Sequence, residues 1–182
     1  NSMKYFLYLL TAILFSLHSN AQNSTKIIKA SSISKYRAVE SPKPVVVAKK
    51  KDMNDPVVQY ETGMNYMYGK GGVEMDEITA IKWLRKSADQ GNRDAQFEMG
   101  VAYYWGFKRT TGIDKDLKIS YEYLLKAANQ GHVGAQTWIG DMHEKGKGTV
   151  KDWDKAVYWY KKAAAQGDEG SKKRLQEAGL GW

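Results

Sequence analysis

The chain has 182 residues, which is enough for one domain and an additional tail. It contains no cysteine, and this excludes disulfide stapling, thiol chemistry and lipid attachment through a cysteine. Twelve tyrosines and six tryptophans supply the apolar area for a packed core, and the formal net charge is +8.

The positive charge is concentrated before residue 56. Residues 22–55 carry eight basic side chains against three acidic ones, whereas residues 56–182 carry 19 against 17. A basic tail of this kind is most often a solvated spacer, and the alternative is contact with phosphates, acidic lipids or acidic glycans. Because the remainder is nearly neutral, no nucleic-acid partner is expected.

The N-terminus resembles a secretory signal peptide. After Asn1-Ser2, which look like a cloning remnant, Met3-Lys4 precede an apolar run over 5–17, and small residues at 19–21 fit a signal-peptidase site. We expect residues 1–21 to be cleaved, leaving an exported, periplasmic or secreted protein. The 13 apolar residues fall short of the ~20 that span a bilayer. The alternative is an uncleaved membrane anchor, which would be the only membrane contact.

Residues 22–55 lack sustained periodicity and are predicted to be a basic, mostly disordered linker. Val45–Val47 form its only apolar segment, a candidate short strand or docking element. Order is predicted to begin at Asp55-Pro56, because Asp suits an N-cap and Pro suits the first helical position.

A tetrapeptide motif occurs three times in the rest of the chain and divides it into units. Its copies lie 40 and 36 residues apart, a period typical of two-helix repeats that bury their apolar faces by stacking. The copies are Ala88-Asp89-Gln90-Gly91, Ala128-Asn129-Gln130-Gly131 and Ala164-Ala165-Gln166-Gly167.

Other positions recur in the same register and have structural explanations. A glycine inside the first helix indicates close approach of another helix, and an aspartate is placed to cap the second. The glycine after each Gln suits a left-handed helix end. The recurring positions are Gln59, Gln96 and Gln136; Gly63, Gly100 and Gly140; Tyr66, Tyr103 and His143; and Asp76, Asp116 and Asp152.

These motifs resemble the Sel-one-like repeat (SLR) family, relatives of the tetratricopeptide repeats. The match is closest in the third unit, at Gly146–Val150 and Lys155–Ala164; the second unit has an enlarged loop at 107–112. The resemblance implies an all-α fold, a right-handed α-α superhelix (solenoid) of three SLR units. We place the units at about 57–92, 93–132 and 133–168, with a C-terminal capping helix in 169–182 and seven helices in all.

The family resemblance also implies a scaffold or adaptor for protein complexes, often exported and associated with the bacterial envelope. In this fold the first helices line the concave face, where a protein or peptide segment could bind. Aromatic and methionine side chains give adaptable contact area there. The candidate groove residues are Tyr60, Met64, Met67, Tyr68, Phe97, Val101, Tyr104, Trp105, Thr137, Asp141, Glu144 and Lys145. Alternatively, the linker (through Val45–Val47) or a second copy covers them, although a monomer is expected.

Catalysis is not expected, and neither a cofactor nor a metal site is predicted. His132 and His143 form no His-x-x-x-His pair, and Asp141, His143 and Glu144 are too close in sequence to converge from one helix. The alternative is an envelope enzyme, or a β-lactam or peptidoglycan binder, as the resemblance to cysteine-rich SLR relatives would imply. This chain lacks their cysteines.

Overall fold

A computed structural model describes residues 51–107 and 111–182. The expectations for residues 1–50, including the signal peptide and Val45–Val47, lie outside the described residues. Within the described ranges the chain forms seven helices and no strand. The helices are α1 (Pro56–Tyr68), α2 (Glu77–Asp89), α3 (Arg93–Trp105), α4 (Leu117–Asn129), α5 (Val133–Lys145), α6 (Trp153–Ala165) and α7 (Glu169–Glu177).

The helices start where side chains can satisfy free backbone N–H groups. Asp55 accepts a hydrogen bond from the Val57 N–H over 2.7 Å, and Pro56 occupies the first turn of α1. The second helix of each unit is capped by an aspartate, as predicted: Asp76, Asp116 and Asp152 accept bonds of 2.9–3.1 Å from the first turns of α2, α4 and α6. The local sequence therefore fixes each start.

Each second helix ends at the Gln-Gly pair of the tetrapeptide. Gly91, Gly131 and Gly167 have φ of 89°, 85° and 94°, a conformation that a side chain disfavours. The chain then turns back at once, because the next helix begins within two residues. The predicted left-handed glycines are confirmed.

The two helices of a unit meet at the internal glycine of the first helix. A Cβ on Gly63 or Gly100 would lie 2.8 or 2.6 Å from Cγ of Leu84 or Leu124, and one on Gly140 would lie 2.6 Å from Tyr160 Cε1. These distances are too short for a real Cβ. The close approach predicted from the recurring glycine is therefore confirmed, and each helix packs mainly on its neighbours in sequence.

The core is a row of clusters shared between consecutive units. Leu84 and Met99 join units one and two, and Leu124 and Ile139 join units two and three. Leu175 of α7 is fully buried against α6 and closes the row. The predicted all-α architecture of three helix pairs and a terminal cap is confirmed.

Candidate partner-binding face

Helices α1, α3 and α5, the first helices of the three units, form one surface, here called the first-helix face. Their side chains touch from unit to unit: the Phe97 ring stacks on His132 at 4.2 Å, and the Tyr104 ring meets Trp138 edge-on at 4.7 Å. Ten of the predicted groove residues are half-buried on these helices, and Trp105 and Lys145 are exposed. The ten are Tyr60, Met64, Met67, Tyr68, Phe97, Val101, Tyr104, Thr137, Asp141 and Glu144.

An aromatic cluster marks the middle of the first-helix face. The rings of Tyr104, Trp105 and Trp138 meet edge to face, with centroids 4.7–6.4 Å apart. Lys147 donates from Nζ to the Tyr104 hydroxyl over 2.8 Å, and Lys115 Nζ lies 5.8 Å from the same ring. Trp105 keeps 37% of its surface exposed. The cluster is thus an aromatic platform with two lysines beside the Tyr104 ring.

In unit one, three of the predicted groove residues pack partly against the hydrophobic core. Tyr60, Met64 and Met67 pack against the cluster that contains Met99. Burial raises the pKa of Tyr60 above its usual range, since its phenol is shielded from water. These side chains form the floor of the face and present part of their surface.

In unit three, the predicted polar groove residues form hydrogen bonds and ion pairs with other residues of this chain. Thr137 Oγ1 donates to Asp168 Oδ1 over 3.2 Å, and Glu144 forms an ion pair with Arg174 of α7. Asp141 pairs with Lys145 on the same helix. The capping helix therefore occupies the position that a fourth unit would take, and the open part of the face lies on units one and two.

Glu98 is a residue of this face that the sequence analysis missed. It is half-buried on α3, and desolvation, with the nearby charge of Asp94 adding to it, raises its pKa to about 7. Its charge also helps raise the pKa of Tyr68 to about 12, after burial itself. Alignment of the three units could have found Glu98, because its position in the first helix varies: the equivalent residues are Glu61 in unit one and Trp138 in unit three.

His132 has a structural role. Its Nδ1 accepts a hydrogen bond from the Ala135 N–H over 3.0 Å, and so it caps α5 as Asn92 caps α3. Burial lowers the pKa of His132 to about 4, against the opposing charge of Asp94. The ring therefore stays neutral near pH 7, as an acceptor nitrogen requires.

Two acidic residues of α5 meet one tyrosine of α6. The Tyr160 hydroxyl oxygen lies 2.6 Å from Asp141 Oδ1 and 2.7 Å from Glu144 Oε2, and its one proton can be donated to only one of them at a time. His143 is buried with Nε2 3.1 Å from the Tyr121 hydroxyl. The expectation that the three side chains do not converge is met by His143 and is wrong for Asp141 and Glu144, which lie three residues apart and so share one face of α5. Within the described residues no cluster of His, Cys, Asp or Glu could hold a metal ion. None of the helices described there has the length and apolar character needed to cross a membrane.

Three stacked helix pairs, a shared core and a polar terminal helix define an α-solenoid of two-helix repeats. Sequence comparison identifies the repeat: the model of the Sel1 repeat matches residues 56–92, 93–132 and 133–168. The chain belongs to the Sel1 repeat family, as its resemblance to the SLR pattern predicted. Proteins of this family are generally protein-interaction scaffolds.

Solved structures share the fold. A Sel1 repeat protein from Oxalobacter formigenes is 40% identical, with a TM-score of 0.63 over 68% of this chain and 90% of that one. A protective antigen of uropathogenic Escherichia coli with an SLR fold is 35% identical, with a TM-score of 0.62 over 69% of this chain and 27% of that one.

Curated relatives carry similar repeats inside much longer chains. The chitin synthase regulator SKT5 of Saccharomyces cerevisiae is 31% identical over 122 residues, 63% of this chain and 17% of its own length. The DAP3-binding cell death enhancer 1 of Mus musculus is 32% identical over 97 residues, 53% of this chain and 18% of its own. This chain therefore spans less than a fifth of either relative.

Proposed function

We propose that this protein is a non-enzymatic scaffold of the bacterial envelope that binds a segment of a partner protein on its first-helix face. The family supports a role in protein interaction, and the relatives named as a regulator and as a binding protein are consistent with it. Export through the signal peptide predicted at 1–21 belongs to the same proposal, as does a monomeric state.

The aromatic platform carries the proposal. Trp105 presents 37% of its surface to solvent although two aromatic rings hold it in place. A partly exposed tryptophan packed against other rings is the kind of side chain that dominates binding energy at interfaces. Val57, in the first turn of α1, is also apolar and is 53% exposed. Together these residues offer contacts to a short segment crossing units one and two.

The internal contacts of unit three limit the length of that segment. Thr137 and Glu144 are bound to the α7 region, so they do not contribute free polar groups. The partner segment is therefore expected to end near Trp138, where α5 meets the platform. This narrows the groove predicted from sequence to its first two units.

Site-specific photocrosslinking tests the proposal. A photoreactive phenylalanine analogue at position 105 of the full chain, expressed in the envelope, is expected to trap a partner protein. The matched control is position 153 on α6, because Trp153 is similarly exposed at 40% but lies outside the first-helix face. Identical adducts at both positions, or none at 105, would contradict the proposal.

A further inference from the structure

One charge on the first-helix face has no counter-charge. Glu98 is half-buried, and no hydrogen bond or ion pair joins it to any residue in 51–107 or 111–182. Its neighbours differ in this respect: Asp94 is bonded to Arg93 Nε over 3.0 Å, and the acids of α5 are paired with Lys145 and Arg174. A partly desolvated carboxylate without a cation costs free energy, and a cation from elsewhere would lower that cost.

The register of the repeats shows that Glu98 occupies a contact position. Trp138 stands at the equivalent place in unit three and packs against Tyr104 and Trp105 of the preceding unit. The same register places Glu98 beside the last turn of α1, where its charge helps raise the pKa of Tyr68. The carboxylate of Glu98 thus lies at the position that the Trp138 ring occupies in the next unit.

The tyrosines of this face already accept ammonium groups. Lys70 Nζ lies 5.5 Å from the centroid of the Tyr68 ring, and Lys147 Nζ lies 5.4 Å from that of Tyr104. An aromatic face beside a carboxylate suits a lysine or arginine side chain, since the ring attracts the cation and the carboxylate bonds it.

We propose that units one and two recognise a lysine or arginine side chain of the partner segment, which binds to Glu98 beside the rings of Tyr60 and Tyr68. Apolar residues flanking that side chain contact Val57 and the platform. The proposal rests on the function proposed above and adds the chemistry of the partner. An acidic segment is disfavoured by the same charge, because Glu98 would repel it.

Peptides of defined charge test this inference on the full chain. The probe is fluorescein-Gly-Gly-Leu-Ala-Lys-Ala-Leu-Gly amide, labelled at its N-terminal amine and compared with the same peptide carrying Gln or Glu in place of Lys. Fluorescence anisotropy is expected to show at least tenfold weaker binding of the Gln and Glu peptides. Glu98→Gln is expected to abolish the preference for Lys, whereas Glu122→Gln, on exposed α4 surface, should retain it.

The outcomes separate the two proposals. Equal binding of the three peptides, lost on Trp105→Ala, would overturn the charge recognition but leave the binding face intact. A preference for Lys that survives Glu98→Gln would also overturn it, because the cation would then bind elsewhere. Absence of binding by all three peptides would overturn the inference, and the crosslinking at position 105 would decide the face separately.

Discussion

Gln130 donates a hydrogen bond from its Nε2 to Oε1 of Gln96 over 2.8 Å. Gln96 in turn donates to the carbonyl of Ala88, at the end of the preceding unit, over 3.2 Å. The same pair recurs as Gln90 with Gln59 and as Gln166 with Gln136. The glutamine of the repeated tetrapeptide therefore belongs to a relay of two hydrogen bonds. The first joins the two helices of one unit, and the second joins that unit to the unit before it.

Removing the middle of this relay should weaken the stacking of units. In Gln96→Leu the Ala88 carbonyl keeps its bond from the Gly91 N–H but loses the buried Gln96 donor, and Gln130 Nε2 loses its Oε1 acceptor. We expect a loss of about 1–3 kcal/mol in the free energy of unfolding, measured by urea denaturation. Gln176→Leu, at an exposed position of α7, should change it by less than about 0.5 kcal/mol. A stability equal to wild type in Gln96→Leu would show that the relay contributes nothing.

Replacement of Gly100 or Gly170 by alanine, in two separate variants, should change the free energy of unfolding in opposite directions. In Gly100→Ala the new methyl group meets Leu124 Cγ at 2.6 Å, and we expect overpacking to cost about 1–3 kcal/mol. In Gly170→Ala it meets only Asp168 Oδ1 at 3.4 Å, so the higher helix propensity of alanine should stabilise by up to about 1 kcal/mol. Thermal denaturation followed by circular dichroism measures both. The same sign for both variants would contradict the close-approach explanation.

Acid should destabilise the protein through His132. Its pKa falls from 6.5 to about 4 on folding, so the stability it contributes is present above pH 6.5 and is lost as the pH falls toward 4. This loss amounts to about 3 kcal/mol at most, and protonation also removes the acceptor for the Ala135 N–H. His132→Asn keeps a cap that does not titrate, as Asn92 does in α3. The variant should lose the stacking on Phe97, about 1 kcal/mol, and show a flatter profile of unfolding free energy between pH 6.5 and 4.

Glu98 should give the opposite dependence on pH. Its pKa rises from 4.5 to about 7 on folding, so its contribution is full below pH 4.5 and is lost as the pH rises through 7. Asp94 on the same helix and Tyr60 and Tyr68 on α1 are the titratable groups that interact with it. We expect Glu98→Gln to match wild type at pH 4 and to exceed it by up to about 3 kcal/mol at pH 8. Equal stability at both pH values would show that Glu98 is solvated.

The local features of the fold could be predicted from sequence because they depend on single residues or short spacings. Asp76 caps α2 through its own side chain, Gly91 turns the chain through its own backbone, and Gly100 marks the contact with Leu124. The candidate face was predicted only as a set of positions. Thr137 and Glu144 bind the region of α7, and no local rule relates them to residues about thirty positions away.

The sequence by itself determined the number of units, the helix boundaries and the capping helix, since caps, glycines and apolar spacing act within one or two turns. Only the tertiary structure decided which polar side chains of the first-helix face remain without an intramolecular partner. Arg174 neutralises Glu144, whereas Glu98 is left without a cation among the described residues. The pKa of a carboxylate depends on desolvation and on charges that only folding brings near, so two glutamates of similar appearance in the sequence differ in the folded protein.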